Sequence, residues 1–323
     1  MSGVAQRAVA EDEADIRLDR WFRRHFPDLT QGVIQRLCRT GQIRVDGRRV
    51  EAATRLAPGQ SVRIPPLPAA PAPPSAPPLP DERARAELER MVLWRDDHLI
   101  VLNKPAGLPT QGGPGIARHL DGMLAAFATE GGGRPRLVHR LDRDTSGVLV
   151  VARTPGVAAK LAAAFRSRAV EKTYWAVVVG RPVPVEGRID LPLVRHEPGL
   201  GGARVAPAAE GEADAARAIT DFRTLDHAGR KLAWLELSPL TGRTHQLRVH
   251  CAAIGAPILG DDAYGTTSVE GFAPQLHLHA RRLVLPHPAG GSLVVEAELP
   301  PHMVATFRAL GFTAPPAQPG LRR

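Results

Sequence analysis

Residues 65 to 80 read Pro-Pro-Leu-Pro-Ala-Ala-Pro-Ala-Pro-Pro-Ser-Ala-Pro-Pro-Leu-Pro, and nine of these sixteen are proline. Proline fixes φ and has no backbone N–H, so the stretch can be neither helix interior nor central strand. It reads as an extended, semi-rigid spacer reaching up to roughly 50 Å, at about 3.1 Å per residue. A ligand for a proline-recognition domain is the lesser alternative. A chain of 323 residues is thus divided early into a small N-terminal module and a larger C-terminal one.

Composition narrows the class. Apolar residues make up 43% of the chain, which suits a globular protein. No apolar run approaches the roughly 18 residues a membrane helix needs. The first fifteen residues carry Glu11, Asp12, Glu13 and Asp15 and no apolar core, so no secretory signal is expected. Cys38 and Cys251 lie in very different contexts and lack the paired spacing of a zinc site, so neither a disulfide framework nor a zinc site is expected. A cytoplasmic protein is the simplest expectation. The net charge is +9, and all but four of the 42 basic residues are arginine. Arginine grips phosphate in a bidentate fork and stacks on bases. GC-rich codon usage can explain the preference for arginine over lysine, but not where the charge sits.

Much of the charge sits in the first module. Between Asp15 and Arg63 there are eleven arginines against five acids. Ile16 to Phe22 has a helical period, with apolar residues at 18, 21 and 22. Thr30 can cap a second helix from Gln31 to Arg39, ended by Thr40-Gly41. Asp46-Gly47 between Ile43-Arg44-Val45 and Val50 is a hairpin signal. Leu56 to Ile64, turning at Pro58-Gly59, reads as a further strand region. Arg36 and Arg39 share a helical face, and Arg44, Arg48 and Arg49 follow on the hairpin. A solvated helix face is the plain alternative for this cluster.

In the second module the most informative string is His139-Arg140-Leu141-Asp142-Arg143-Asp144-Thr145-Ser146-Gly147. It lies between the apolar pieces Leu137-Val138 and Val148 to Ala152, giving strand, charged bend, strand. Asp142 stands between two arginines, and a carboxylate near cations stays ionised, as a nucleophile must. Met91 to Trp94 and Leu99 to Leu102 read as strands, as do 174–179, 232–237, 283–285 and 293–299. Val157 to Arg168 and Thr244 to Ile254 read as helices. The irregular spacing favours an α+β fold with a mixed, largely antiparallel sheet. Gly199 to Gly211 reads as a mobile loop.

The string around Asp142 resembles the signature of the RluA/RluC/RluD-type pseudouridine synthases of large-subunit ribosomal RNA. Three further stretches match that family in order. They are Leu102 to Leu108 with Gln111-Gly112-Gly113, then Glu171 to Val177, then Leu240 to His250 followed by Gly260 to Gly265. The wording near Gln111 and Arg143 leans toward the RluC-like branch. The first module resembles an S-four-type RNA-binding domain of two helices and a small β-structure. The resemblance implies an isomerase that cuts a uridine's C1′–N1 bond and rejoins the base through C5. By position it implies Asp142 as nucleophile, Tyr174 as the aromatic against the base, and Arg248 as partner of the catalytic acid. Arg140 and Arg243 are expected to bind substrate, and Arg36, Arg39, Arg44 and Arg48 to contact RNA.

The expected organisation is a disordered 1–14, an RNA-binding domain over 15–64, the linker 65–80, a catalytic domain over 81–312 and a disordered 313–323. No cofactor and no metal are expected, because no Gly-rich phosphate loop opens a helix and the histidines lack ligand spacing. Asp142 and Asp144 make a poor glycosidase pair, since flanking arginines oppose the protonated acid such enzymes need. Asp144 is expected to shape the bend, and His277, His279 and His287 to be structural. The expected partner is large-subunit ribosomal RNA, bound by a monomer without a membrane. Transfer RNA as substrate, an inactive RNA-binding assembly factor and a base-excising glycosylase are the alternatives.

Overall fold

The computed structural model describes residues 4–26, 29, 31–67, 82–113, 115–128, 133–196, 204–212, 214–265, 269–317 and 321–322. The chain divides into two compact units, Met1–Leu79 and Pro80–Arg323. Most of the proline run and Thr30 lie outside the described residues.

The first unit packs helices α1 (Leu18–His25) and α2 (Gln31–Arg39) on a four-stranded sheet. Its strands are β1 (Ala5–Ala8), β2 (Arg44–Val45), β3 (Arg48–Arg49) and β4 (Ser61–Ile64), ordered β1-β4-β2-β3. Leu18, Trp21 and Phe22 of α1 and Ile34 and Leu37 of α2 meet Val45 and Val62 in one apolar core. Helix α1 begins two residues later than its apolar period suggests. Asp46 and Gly47 take φ of 49° and 76°, the two left-handed positions of a type I′ hairpin turn.

Within the span 1–14 expected to be disordered, the described residues from 4 onward contain regular structure, and residues 1–3 lie outside the described residues. β1 pairs antiparallel with β4, and Glu11–Glu13 form a 3-10 turn. The turn is anchored by Glu13, only 3% exposed, which accepts the Ala10 N–H (3.1 Å) and the Trp21 indole N–H (2.8 Å) and pairs with His25 (2.5 Å). Burial alone pushes the Glu13 carboxyl up, but these partners more than offset it and hold it at about 2.

The second unit is built on an eleven-stranded sheet. In chain order its elements begin α3 (Glu82–Met91), β5 (Val92–Arg95), β6 (Leu99–Lys104), α4 (Leu120–Met123), β7 (Arg136–Leu137), β8 (Ser146–Ala152) and α5 (Pro155–Arg166). There follow β9 (Glu171–Val179), β10 (Glu186–Asp190), β11 (Leu193–Arg195), β12 (Val205–Pro207), β13 (Ile219–Ala228) and β14 (Leu232–Pro239). The last are α6 (Gln246–Ala253), β15 (Leu278–Pro286), β16 (Ser292–Glu296), α7 (Pro301–Leu310) and β17 (Leu321–Arg322). The main path runs β10-β13-β14-β9-β15-β8-β6-β5, with β16 and β17 added beyond β15 and β7 paired to β8. Among the described strand pairs only β8 and β15 run parallel, so the sheet is mixed and largely antiparallel. β11 and β12 pair separately, so the mobile loop expected over 199–211 contains a strand at 205–207; residues 199–203 lie outside the described residues.

Strand periodicity explains the two cores around β6 and β8. Ile100, Leu102, Leu149 and Val151 face α3 and α4, while Leu99, Val101, Val148 and Val150 join Val157 and Leu161 of α5 on the other face. A sheet covered on both faces needs continuous apolar strands, and β8 is buried throughout. The expected disorder after residue 312 also fails in part. The Ala317 N–H bonds Glu298 (2.8 Å), Arg281 bonds the Pro315 carbonyl (2.8 Å), and β17 pairs with β16. No described helix is long and apolar enough to cross a membrane.

Gly147, next to the bend, has φ +110°, and a Cβ there would lie 2.2 Å from the Ala280 carbonyl oxygen of β15. Gly147→Ala is therefore expected to destabilise the second unit by on the order of 3 kcal/mol, read as a lowered urea midpoint. In the first unit, a carboxylate held low contributes stability above about pH 4.5 that is lost as pH falls toward about 2. Amide exchange over residues 10–25 should accelerate across that window, and Glu13→Gln should flatten the dependence.

Candidate active site

Strands β8, β15 and β9 meet in register as Gly147, Ala280 and Tyr174. The two small residues let the bend before β8 approach the strand that carries Tyr174. A cleft of about 880 Å³ opens there, lined by the bend 138–142, the end of α5, the start of β9 and residues 238–248. Six basic side chains line it (Arg140, Arg166, Arg168, Lys172, Arg243, Arg248) against the acids Asp142 and Glu171, so it attracts polyanions.

The bend is held from beneath. Lys104, at the end of β6, is fully buried, and its Nζ donates to the carbonyls of Pro105 (2.9 Å), Leu108 (2.8 Å) and Arg143 (2.9 Å). The Arg143 carbonyl also accepts the Gly107 N–H (2.9 Å), and Thr110 Oγ1 donates to the Leu141 carbonyl (2.6 Å). The Leu102 to Leu108 stretch thus braces the bend. Desolvation pulls the Lys104 ammonium down, and Asp144 and Asp142 only partly restore it, leaving it at about 8. His139 stacks on Phe165 of α5 and accepts the Val150 N–H (2.8 Å); burial drives its imidazole to about 3, so it is neutral.

The structure brings Asp142, Tyr174 and Arg248 to one cleft. The Asp142 side chain is 21% exposed and lines the cleft. Tyr174 is half-buried between two apolar clusters, and burial, helped by the Asp142 charge, pushes its phenol above the ordinary range, so it is neutral. Arg140 and Arg243 are exposed on the rim; Arg243 Nε donates to the Arg217 carbonyl (3.1 Å).

The expected pairing of Arg248 with Asp142 is not what the structure contains. Arg248 makes a bidentate pair with Asp261, at 2.8 and 2.6 Å, and acts on Asp142 only through space. Asp261 is fully buried and must be satisfied at every lone pair. It also accepts the amides of Ala263 and Tyr264, at 3.0 and 3.2 Å. Gly260, at φ +78°, permits the close turn that delivers it. Arg143 likewise pairs with its neighbour Asp144 (3.1 Å). The His245 side chain approaches the Asp142 carboxylate, with Nε2 4.0 Å from Oδ2.

Asp261, His245, Tyr264 and Lys104 have no role assignable from sequence. They stand within the matched stretches, but spacing does not tell a site residue from a brace. Gln246 of α6 is such a brace: its amide donates to Ile219 O (2.9 Å) and Thr220 (3.0 Å) and accepts from Thr241 (2.7 Å) and the Arg243 amide (3.0 Å). His277 bonds Thr306 and Gln275, His279 bonds Ser146 and Ala297, and His287 bonds Asp96.

In the first unit Arg36, Arg39 and Arg48 are exposed. Arg44 is partly engaged, donating to the carbonyls of Gly41 (3.1 Å) and Gly47 (3.1 Å) across the hairpin.

A family model described as RNA pseudouridylate synthase matches residues 98–253, the span that holds the bend, Tyr174 and α6. Ribosomal large subunit pseudouridine synthase C of Vibrio cholerae is 36% identical over 303 residues, covering 91% of this chain and 93% of the relative. The protein of the same name from Rickettsia typhi is 36% identical over 296 residues, covering 88% and 94%. Among solved structures, human RNA pseudouridylate synthase domain containing 4 superposes with a TM-score of 0.62 at 32% identity, covering 73% of this chain and 98% of that one. With relatives this similar along nearly their whole length, the chain belongs to the RNA pseudouridine synthase family, a family of isomerases.

Proposed function

We propose that this enzyme converts specific uridines of large-subunit ribosomal RNA to pseudouridine, with Asp142 as nucleophile at the ribose. The observation that carries the reading is a carboxylate inside a cation-lined cleft, beside a neutral phenol on β9. The names of the similar proteins from Vibrio cholerae and Rickettsia typhi support the choice of ribosomal RNA.

The reaction is an internal rearrangement. The base leaves C1′ through N1, turns, and returns through C5; a proton is lost from C5 and one is taken up at N1. Nothing is oxidised and no group donor is consumed, so the chain's own side chains suffice and no cofactor is invoked. Taking the base out of its stack costs a few kcal/mol. Stacking on an aromatic returns about 1–3 kcal/mol, a role we assign to Tyr174. As a neutral phenol it shields the base and moves a proton only in the company of an acceptor. Arg248, fixed by Asp261, stabilises the negative charge that the uracil takes with the C1′–N1 electron pair, without quenching Asp142. Arg140 and Arg243 on the rim take the phosphates beside the flipped nucleotide. Residues 15–64 act as the RNA-binding domain through Arg36, Arg39, Arg44 and Arg48, and the enzyme works as a cytoplasmic monomer.

Asp142→Asn should slow single-turnover isomerisation by at least about 10³-fold while RNA affinity and thermal midpoint stay near wild type. Tritium release from RNA labelled at uridine C5 measures the rate, and an active variant removes Asp142 from the mechanism. Deleting residues 1–64 should weaken RNA binding and reduce the log–log salt slope by about 0.7–0.9 per lost phosphate contact. An unchanged slope in a filter-binding titration would mean that the first unit does not hold RNA phosphates.

A further inference from the structure

His245 has φ +55° and ψ +14°, in the left-handed region, immediately before α6. Its side chain makes no helix-capping hydrogen bond. It lies instead in the cleft between two groups, with Nδ1 2.7 Å from the Tyr264 hydroxyl and Nε2 4.0 Å from Asp142 Oδ2. A non-glycine residue in this conformation costs energy and is often found where a site dictates side-chain direction.

The surrounding bonds set the tautomer. Tyr264 Oη accepts the Val205 N–H (3.2 Å), so its own proton is free to go to His245 Nδ1. Burial pulls the imidazole below its ordinary range, so it is neutral near pH 7. A neutral imidazole that accepts at Nδ1 carries its proton on Nε2, the nitrogen facing Asp142. Tyr264 is itself locked. Its amide bonds Asp261, and the Arg248 guanidinium lies over its ring at 5.1 Å from the centroid. The charged groups that act on His245 are Asp142 and Arg140 from the bend, Arg248 from α6 and Asp261 from the following turn.

We propose that Tyr264 and His245 form a positioning relay for Asp142, in which the His245 Nε2–H holds one carboxylate oxygen and leaves the other turned toward the ribose. The inference rests on Asp142 being the nucleophile. The 4.0 Å separation exceeds a direct hydrogen bond; a small side-chain rotation or one bridging water closes it when substrate fills the cleft. A carboxylate free to rotate offers its oxygens in many directions, and fixing one raises the fraction of attack-ready geometry.

The test uses the full chain and unmodified large-subunit ribosomal RNA transcribed with C5-tritiated uridine, reading single-turnover tritium release and RNA affinity separately. Tyr264→Phe, which removes one oxygen atom, should slow the rate about 3–10-fold with affinity within about twofold. His245→Leu should slow it about 10–100-fold, and His245→Gln, which retains both an acceptor and an N–H, should recover most of the loss. Tyr264→Phe combined with His245→Leu should be no slower than His245→Leu alone, because both act along one path. Rates that multiply in the double variant, or a wild-type rate in Tyr264→Phe, would overturn the relay. Asp142→Asn, run in parallel, separates the two readings. If it is active, the nucleophile assignment falls; if it is dead while His245→Leu runs at the wild-type rate, only the relay falls.

Discussion

The ammonium of Lys104 is the interaction on which the site depends. It is fully buried under the bend and is satisfied by three backbone carbonyls, two on the loop after β6 and one at Arg143. Its descent from 10.5 to about 8 means that carrying this charge in the folded state costs on the order of 3 kcal/mol below pH 8, a cost that fades toward pH 10.5. No carboxylate bonds it directly. What the burial achieves is geometric, since one point charge with three donors ties two separate loops into a single support. A methionine would fill the volume but leave the Pro105 and Leu108 carbonyls without this donor in a buried place, while the Arg143 carbonyl would keep only the Gly107 N–H.

A second economy of charge lies on the far side of the cleft. Arg248 stands near the acid, yet its bidentate bonds are spent on Asp261. A direct pair with Asp142 would keep it charged but occupy the oxygen lone pairs that the chemistry needs. With Asp261 in place, the guanidinium is rigid, still positive at long range, and able to stack on Tyr264. Asp261 gathers its remaining bonds from the turn that carries Tyr264, so the ion pair and the ring position form one unit. A buried pair of this kind is weak evidence for stability; its defensible role is to specify geometry.

What was legible in the sequence divides along physical lines. Local signals carry the local elements: apolar, β-branched runs form β6 and β8, and Asp46-Gly47 forms the hairpin turn. The alanine-rich run forms α5, which begins earlier than the run suggests, at Pro155 under a Thr154 cap. The cleft residues Asp142, Tyr174 and Arg248 are legible only through family resemblance; periodicity alone places Tyr174 in the core and Arg248 on a surface. Long-range partners were not legible. Nothing local says that Glu13, in an acidic run typical of a solvated tail, accepts a bond from the Trp21 indole. Nor does spacing reveal that Asp261 outcompetes Asp142 for Arg248, because that choice depends on which carboxylate the fold buries completely.

The same distinction bears on how charge is used across the molecule. The arginines of the cleft rim and of α2 and the hairpin are largely exposed, where each is worth little to stability and is screened by salt. Long-range attraction of a phosphate chain tolerates that exposure, because a polyanion meets many such charges at once. The charges beside the reacting centre are treated in the opposite way. Lys104, Arg248 and Asp261 are largely withdrawn from solvent and satisfied by short bonds, so their charges act from fixed directions. Capture therefore needs exposure and number, while chemistry needs burial and order. A basic surface predicted from composition accounts for the first requirement; only the folded arrangement of a few satisfied ions accounts for the second.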